Sequence, residues 1–303
     1  MSEIKPVFTR LIPIVIFICI IVVSCNQSLV TPTQTVFSPQ FTLQTTQITQ
    51  LENPTPLTLH QQDSEICLNH SRIERYQIDS NRLNDALFFS VYFPPCYSDI
   101  NPDGYPTLYA LHGQNFTDEM WIDLGAAEEI DKLILEGKIE PFLMVMPFEE
   151  YFFREAEGNQ FPIALKQEII PWVEGNLNVC IEKNCRAIAG ISRGASWAVR
   201  IGLSEWQDFG SVGAHSLPTF RKDIEILPDW LEAIPPGEEP RIYLDTGRFD
   251  PEVKTASRFE QILNENGIPH EWHLNDGRHN EVYWEEHMIE YMRWYGAAWD
   301  IEK

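Results

Sequence analysis

Apolar and polar residues alternate in two ways along the chain. Residues 72–78 and 86–93 show a period of two, and the second run is rich in aromatic and β-branched residues. Both are predicted as antiparallel strands, with a turn at Asn81 and Asn84 between them. Farther along, short apolar runs predict further strands. These strands cover residues 106–111, 142–146, 186–189, 210–214, 241–245 and 271–274.

Stretches of helical period separate these later strands. Short buried strands that alternate with helices are typical of a mostly parallel sheet with helices on both faces. We therefore expect an α/β fold with about eight strands, in which the antiparallel pair precedes the parallel ones. Pro171 is expected to bend or split one helix. The predicted helices cover residues 126–136, 164–177, 197–203, 256–266 and 281–295.

The first 25 residues have a different pattern. Lys5 and Arg10 precede an apolar run over residues 11–23. The run is shorter than the roughly 20 residues that a membrane-spanning helix needs, and its length fits a secretory signal. The sequence VVSC, ending at Cys25, resembles a bacterial lipobox, which implies cleavage before Cys25 and lipid attachment to its thiol. The alternatives are an uncleaved anchor and an ordinary signal. The prediction is an exported protein, either a lipoprotein on the outer face of the bacterial cytoplasmic membrane or a secreted one.

Residues 26–63 are rich in Thr, Gln and Pro and nearly uncharged. No period of 2 or 3.6 persists there, and few large apolar residues are available for a core. Such a composition predicts a tether. The folded domain is then expected over residues 64–303.

Charge and composition narrow the classes of function. The chain has 303 residues, 44% of them hydrophobic, and a formal net charge of −23. That length and composition suffice for one sizeable core. A strongly acidic surface repels phosphate backbones and anionic lipid headgroups, so neither nucleic-acid binding nor electrostatic docking on a membrane is expected. Contact with a membrane is expected only through the N-terminal lipid anchor.

Four cysteines lie in the predicted domain. An even number in an exported chain predicts disulfides rather than free thiols. Cys180 and Cys185 are close neighbours across a loop and are paired in this prediction, which leaves Cys67 with Cys96. A zinc site is the alternative, but the four lack C-x-x-C spacing. No metal or cofactor is expected.

The sequence Gly190-Ile191-Ser192-Arg193-Gly194 fits the pattern G-x-S-x-G. The pattern alone is weak, but here it follows a predicted strand and precedes a predicted helix. That context is typical of the nucleophile turn of the α/β-hydrolase fold. Ser192 is therefore the candidate nucleophile, and the alternative is a purely structural turn.

A serine nucleophile needs a histidine base, which in this fold follows it in the chain. His279 lies in the loop after the last predicted strand, at the edge of the sheet where the base must reach the serine. His215 follows a strand at the same edge and is the second candidate, or a residue that lines the pocket. His270, His273 and His287 are interpreted as ordinary polar residues.

The third member of such a site is a carboxylate that orients the histidine. Asp250 lies in the loop after the strand at 241–245 and has the reach to meet a histidine from the next loop. Asp245 ends that strand and is the less favoured candidate, because aspartate at such a place commonly bonds turn amides.

Acyl transfer also needs amides that bind the oxyanion. In this fold one comes from the residue after the nucleophile, here Arg193, and the other from the loop after an early strand, here Gln114. Phe116, Trp121 and Trp197 are candidates for lining the substrate pocket, although such aromatic residues are more often part of the core.

The segment SVYFPPCYSDINPDGYPTLYALHG, the blocks GKIEPFLMVMPF and EIIPWVEGNLNV, and the motifs GISRGA, DTGRFD and GRHNEVYW together resemble the Putative esterase family of α/β-hydrolases. That family includes enterochelin, feruloyl and acetylxylan esterases, S-formylglutathione hydrolases and mycolyltransferases. The resemblance covers about residues 70–298. It implies a serine esterase with Ser192, Asp250 and His279 at the triad positions.

This chain departs from the family pattern at four places. Arg193 and Ala195 stand where Met or Leu and a second Gly are frequent, and Arg278 and Asn280 stand where Gly and Asp are frequent. An Arg193 guanidinium not tied to an acidic residue would favour an anionic substrate. Two alternatives to ester hydrolysis stay open. One is acyl transfer to a sugar or other alcohol by the same triad, and the other is a non-catalytic tethered binding protein.

Overall fold

The computed structural model describes residues 70–150, 153 and 156–299, which lie within the compact unit Asp63–Lys303. The predicted signal and tether, with Cys25 and Cys67, lie outside these residues. Within the described part of the chain, no helix is both long and apolar enough to cross a membrane.

A single eight-stranded sheet forms the centre of the domain, with the order β1-β2-β4-β3-β5-β6-β7-β8. All eight predicted strands are present, and the mostly parallel α/β architecture predicted from the sequence is confirmed. The strands are β1 (Arg72–Ser80), β2 (Asp85–Phe93), β3 (Thr107–Leu111), β4 (Leu143–Pro147), β5 (Arg186–Ile191), β6 (Ser211–His215), β7 (Arg241–Gly247) and β8 (Glu271–Asn275).

The strand directions place the loops that follow the parallel strands at one edge of the sheet. β1 pairs antiparallel with β2, and β2 pairs antiparallel with β4. From β4 onward every pairing is parallel. The carboxyl ends of β3 to β8 therefore share one edge of the sheet, where ligands bind in open α/β folds.

Helices cover both faces of the sheet, and along the chain they alternate with the parallel strands. One face packs on α1, α2 and α8, and the other on α3 to α7. The helices are α1 (Met120–Asp123), α2 (Ala126–Leu135), α3 (Phe161–Ala164), α4 (Ile170–Asn176), α5 (Arg193–Ser204), α6 (Asp223–Glu232), α7 (Val253–Glu265) and α8 (Glu281–Gly296).

Three helical segments differ from the prediction. The helix predicted over residues 164–177 is α3 and α4 joined by a π-helical turn at Leu165–Ile169. This turn lies just ahead of Pro171, whose missing N–H breaks the α-helical bonding. The sequence patterns missed α1, which is only four residues long, and α6, which has Pro228 inside it.

The Cys180–Cys185 disulfide is confirmed, with Cα atoms 5.8 Å apart. It closes a short loop just ahead of β5, the strand that leads to Ser192. Cys96 is also disulfide-bonded, but its predicted partner Cys67 lies outside the described residues, so that pairing stays a prediction.

Candidate active site

Ser192 lies in a sharp turn between β5 and α5. Its backbone has φ 55° and ψ −120°, a strained conformation for a residue other than glycine. Glycines on either side make the turn possible. A Cβ on Gly190 would lie 2.0 Å from the carbonyl carbon of Gly194, and one on Gly194 would lie 2.3 Å from the carbonyl oxygen of Leu111. The side chain of Ser192 is thereby held above the carboxyl edge of the sheet, at the start of a helix.

The three side chains singled out in the sequence meet in one hydrogen-bonded chain. Ser192 Oγ lies 2.8 Å from Nε2 of His279. On the other side of the ring, Nδ1 lies 2.9 Å from Oδ2 and 3.1 Å from Oδ1 of Asp250. When Nδ1 carries the proton, Nε2 is left to accept the proton of the serine hydroxyl.

Asp250 is buried and held in its ionised form. Burial opposes the charge, but hydrogen bonds from His279 and from the Glu252 amide, at 2.7 Å, lower the pKa of Asp250 below its usual value. A further hydrogen bond from Ser216 acts in the same direction. The carboxylate is thus a fixed negative group behind the imidazole.

Backbone bonds between two loops set the spacing of Asp250 and His279. The Arg248 amide donates to the carbonyl of Asn275 at 2.8 Å, and the Phe249 amide donates to that of Gly277 at 3.0 Å. These bonds continue the β7–β8 pairing beyond the strands. Asn280, immediately after His279, caps α8 through its side chain.

The alternative candidates His215 and Asp245 lie elsewhere. Both are fully buried, with His215 Nδ1 2.6 Å from Asp245 Oδ1. His215 Nε2 also bonds to the Tyr295 hydroxyl, and Asp245 accepts from the hydroxyls of Tyr283 and Tyr291. His215 therefore does not line a pocket. The side chain of Asp245 bonds these rings of α8, and not the turn amides suggested from the sequence.

Two cavities open at Ser192 and His279. The first, about 350 Å³, is lined mostly by polar groups that include Ser196, Thr219 and Glu252. The second, about 370 Å³, is lined by Phe116 and Trp284 together with Asn115 and Glu281. Of the three aromatic candidates from the sequence, Phe116 is thus one that lines a cavity at Ser192.

The other two aromatic candidates are not in these linings. Trp121 is buried and donates from Nε1 to the carbonyl of Leu111. Trp197 is buried and donates from Nε1 to Glu149 at 2.8 Å. Both are therefore part of the core, which is the alternative that the sequence analysis gave for such aromatic residues.

The segments proposed to bind an oxyanion flank Ser192. Gln114 lines both cavities, and Arg193 lines the first. The Arg193 guanidinium donates two hydrogen bonds to Glu149, at 2.7 and 2.9 Å. The condition for attracting an anionic substrate, a guanidinium not tied to an acid, is therefore not met.

Sequence reasoning missed Glu149, Glu252 and Trp284. Glu149 is an acidic residue two positions after a buried strand, at the edge where the other site residues lie. That position was the available signal. Nothing in the local pattern distinguishes Glu252, just before α7, or Trp284, near the start of α8, from ordinary residues at a helix start.

The fold and this geometry define an α/β-hydrolase. The sequence model of the family described as "Putative esterase" matches residues 80–295. The chain belongs to this family of esterases, as the sequence motifs indicated.

Individual relatives share 25–30% of their residues with this chain over part of its length. The chain is 30% identical over 163 residues to an endo-1,4-beta-xylanase/feruloyl esterase of Xylanibacter ruminicola. This alignment covers 50% of this chain and 22% of the relative. It is 25% identical over 229 residues to an esterase of Mycobacterium tuberculosis, covering 58% of this chain and 48% of the relative. The chain thus spans less than half the length of these curated relatives.

Solved structures show the same fold. A ferulic acid esterase matches with a TM-score of 0.68 and 21% identity, covering 76% of this chain and 100% of the other. The S-formylglutathione hydrolase of Staphylococcus aureus matches with a TM-score of 0.61 and 15% identity, covering 75% of this chain and 99% of the other. At these identities the likeness is one of fold.

Proposed function

We propose that the protein is a carboxylic ester hydrolase that acts through a Ser192–His279–Asp250 triad and an acyl-enzyme. The observation that carries this proposal is the continuous hydrogen-bonded chain from Ser192 Oγ through the imidazole to the buried Asp250. The strained turn at Ser192 and membership of an esterase family support it.

The reaction follows from these positions. Ser192 Oγ attacks the ester carbonyl while His279 Nε2 takes the hydroxyl proton, and Asp250 stabilises the resulting imidazolium. The protonated imidazole then gives its proton to the departing alkoxide, which leaves as the alcohol and leaves the acyl group on Ser192. A water molecule, deprotonated by the same imidazole, releases the acid and restores the serine.

The charge that develops on the carbonyl oxygen needs donors on the other side of Ser192. The amides of Gln114 and Arg193 are proposed for this role. Arg193 is the first residue of α5, so the positive end of the helix dipole adds to its amide.

A covalent intermediate on Ser192 is the first expected result. A carbamate ester forms a carbamoyl-serine that hydrolyses slowly, so the adduct accumulates. We expect intact-protein mass spectrometry to show one added carbamoyl group and peptide mapping to place it on Ser192. A His279→Ala variant should label far more slowly, because Nε2 no longer takes the proton.

An adduct on another residue, or ester turnover with no adduct on Ser192, would contradict the acyl-enzyme proposal. Labelling at the same rate in His279→Ala would contradict the role given to His279.

The site is also expected to distinguish neutral esters from esters that carry a negative charge. Glu252 lines one cavity and Glu281 the other, and Glu149 pairs with the Arg193 guanidinium. Arg193 is the single Arg or Lys among the described residues that line either cavity. An ester with a carboxylate near its scissile bond therefore meets net negative charge.

We expect kcat/KM for the monosuccinate ester of p-nitrophenol to be well below that for the neutral butyrate ester. Glu252→Gln should raise the monosuccinate value about fivefold, which corresponds to the roughly 1 kcal/mol of one charge pair at close range in water. The butyrate value is the control and should change little. An unchanged monosuccinate-to-butyrate ratio in this variant, at low and high salt alike, would contradict the charge argument.

We also propose export of the protein, with lipid attachment at Cys25. The disulfide between Cys180 and Cys185 supports an oxidising compartment.

A further inference from the structure

Glu149 is a buried carboxylate at the end of the strand β4, two residues beyond Pro147. Its side chain is 3% exposed and accepts hydrogen bonds from four donor groups. Arg193 supplies two of them, at 2.7 and 2.9 Å, Trp197 Nε1 the third at 2.8 Å, and Asn159 Nδ2 the fourth at 2.9 Å. A buried charge is costly unless it is paired and fully hydrogen-bonded, and this one is.

The backbone amide of the same residue bonds to a second part of the site. Glu149 N–H donates to Nε2 of His112 at 2.8 Å. Since Nε2 is the acceptor, the ring proton lies on Nδ1, which is 2.8 Å from the carbonyl oxygen of Gly113. Burial lowers the pKa of His112, which favours this neutral form.

The Gly113 carbonyl accepts from His112 Nδ1 at 2.8 Å and from the Phe116 amide at 3.2 Å, and these two bonds set the direction of the next amide. None of the described peptide bonds is cis, and in a trans peptide the N–H points opposite to the C=O. When the Gly113 carbonyl faces His112, the Gln114 N–H faces away from it. Gln114 lines the cavities at Ser192, so the orientation of its amide matters there.

We propose that Glu149 is a positioning residue that holds both oxyanion-binding amides, that of Gln114 through His112 and that of Arg193 through its side chain. This inference rests on the proposed serine mechanism. Glu149 does not touch the substrate. It joins two loops that are distant in sequence, so that both donors keep the geometry that the transition state requires.

The test is Glu149→Gln. The amide side chain retains the shape of the carboxylate, and the backbone N–H that bonds to His112 stays, so the variant changes the side-chain contacts alone. It loses the charge and cannot accept both bonds from Arg193. We expect kcat for p-nitrophenyl butyrate, counted per active site by titration with a carbamate ester, to fall about 10–100-fold with little change in KM. The affinity for a trifluoromethyl ketone, which binds as a tetrahedral oxyanion adduct, should fall by a similar factor. The pH profile of kcat/KM should not move, because His279 and Asp250 are untouched.

The matched control is Glu174→Gln. Glu174 pairs with Arg186 at 2.7 Å and is half-buried, with 23% of its side chain exposed, and this pair lies at the opposite end of β5 from Ser192. Its loss removes an ion pair of the same type, so it reports the effect of destabilisation alone. We expect kcat per titrated site to be unchanged in this control.

A second variant covers the case in which Glu149→Gln does not fold. Arg193→Lys keeps the positive charge and the backbone amide but loses the two-pronged contact with Glu149. We expect it to lower kcat and ketone affinity together, again without a change in the pH profile.

The outcomes separate the two proposals. If kcat per site is the same in Glu149→Gln as in the control Glu174→Gln, the role of the Glu149 side chain is overturned and the triad stays in place. Where Glu149→Gln does not fold, Arg193→Lys takes its place in this comparison. A fall in kcat without a parallel fall in ketone affinity would overturn it as well. Retained turnover in Ser192→Ala would overturn the proposed mechanism and this inference with it.

Discussion

Replacing Ser192 with alanine is expected to lower kcat for p-nitrophenyl acetate and butyrate by at least about 10³-fold. The substitution removes one oxygen atom, which lies 2.8 Å from His279 Nε2, and adds nothing that needs space. The backbone strain at this position is the same for alanine as for serine, so thermal unfolding should change little. Initial rates of p-nitrophenol release measure the effect.

Ser196→Ala is the matched control. Ser196 lies one turn later on α5 and lines the same cavity, and its hydroxyl has no hydrogen-bond partner among the described residues. We expect its activity to stay within a few-fold of the unmodified protein. Equal background rates in Ser192→Ala and the unmodified protein would remove the support for simple ester hydrolysis by Ser192. Larger esters, acyl acceptors and then the binding-protein alternative would be tested next.

Asp250→Asn should have an effect of similar size and should distinguish the two aspartates near the end of β7. An amide at this position stabilises the wrong tautomer of His279 and no longer balances the imidazolium, which in a serine triad costs about 10⁴-fold in kcat. Because the pKa of Asp250 is held low, the unmodified carboxylate is charged throughout the range in which the enzyme would be assayed. Rates and thermal unfolding should be measured together.

Asp245→Asn is expected to lower the stability of the fold and to change the rate of catalysis little. Asp245 accepts hydrogen bonds from Tyr283 and Tyr291 at 2.5 and 2.7 Å and bonds to His215. Disturbing a buried bond of this kind lowers the free energy of unfolding by about 1–3 kcal/mol. We expect kcat per active site to change less than about tenfold. If Asp245→Asn abolished turnover in a folded protein while Asp250→Asn did not, the assignment of the acid would be wrong.

The fold was largely predictable because its signals are local. Runs such as residues 142–146 and 241–245 are short, apolar and flanked by turn residues, and such runs indicate buried parallel strands wherever they lie. The helix α6 was not predicted, because Pro228 interrupts the helical period that the pattern requires. The π-helical turn before Pro171 was not predicted either, since its form depends on how the chain accommodates a missing N–H.

The site was predictable to a smaller extent. The Ser192 turn is encoded within five residues, and the positions of Asp250 and His279 follow from loops that must share one edge of the sheet. The sequence did not distinguish an aromatic residue that faces the cavity, such as Phe116, from one that faces the core, such as Trp121 and Trp197. That difference depends on the rotation of each helix against the sheet, which is set by distant contacts.

The position of α8 has a consequence for the order in which the site is completed during synthesis. His279 lies just before α8, and Tyr295 of that helix bonds to His215, 80 residues earlier. Chains are made from the amino end, so the nucleophile and the acid emerge before the general base and the helix that holds it. A nascent chain up to β8 therefore carries Ser192 without a proton acceptor. Catalytic competence is expected to arise in a single step, when α8 docks, and chains that lack α8 are expected to remain chemically inert.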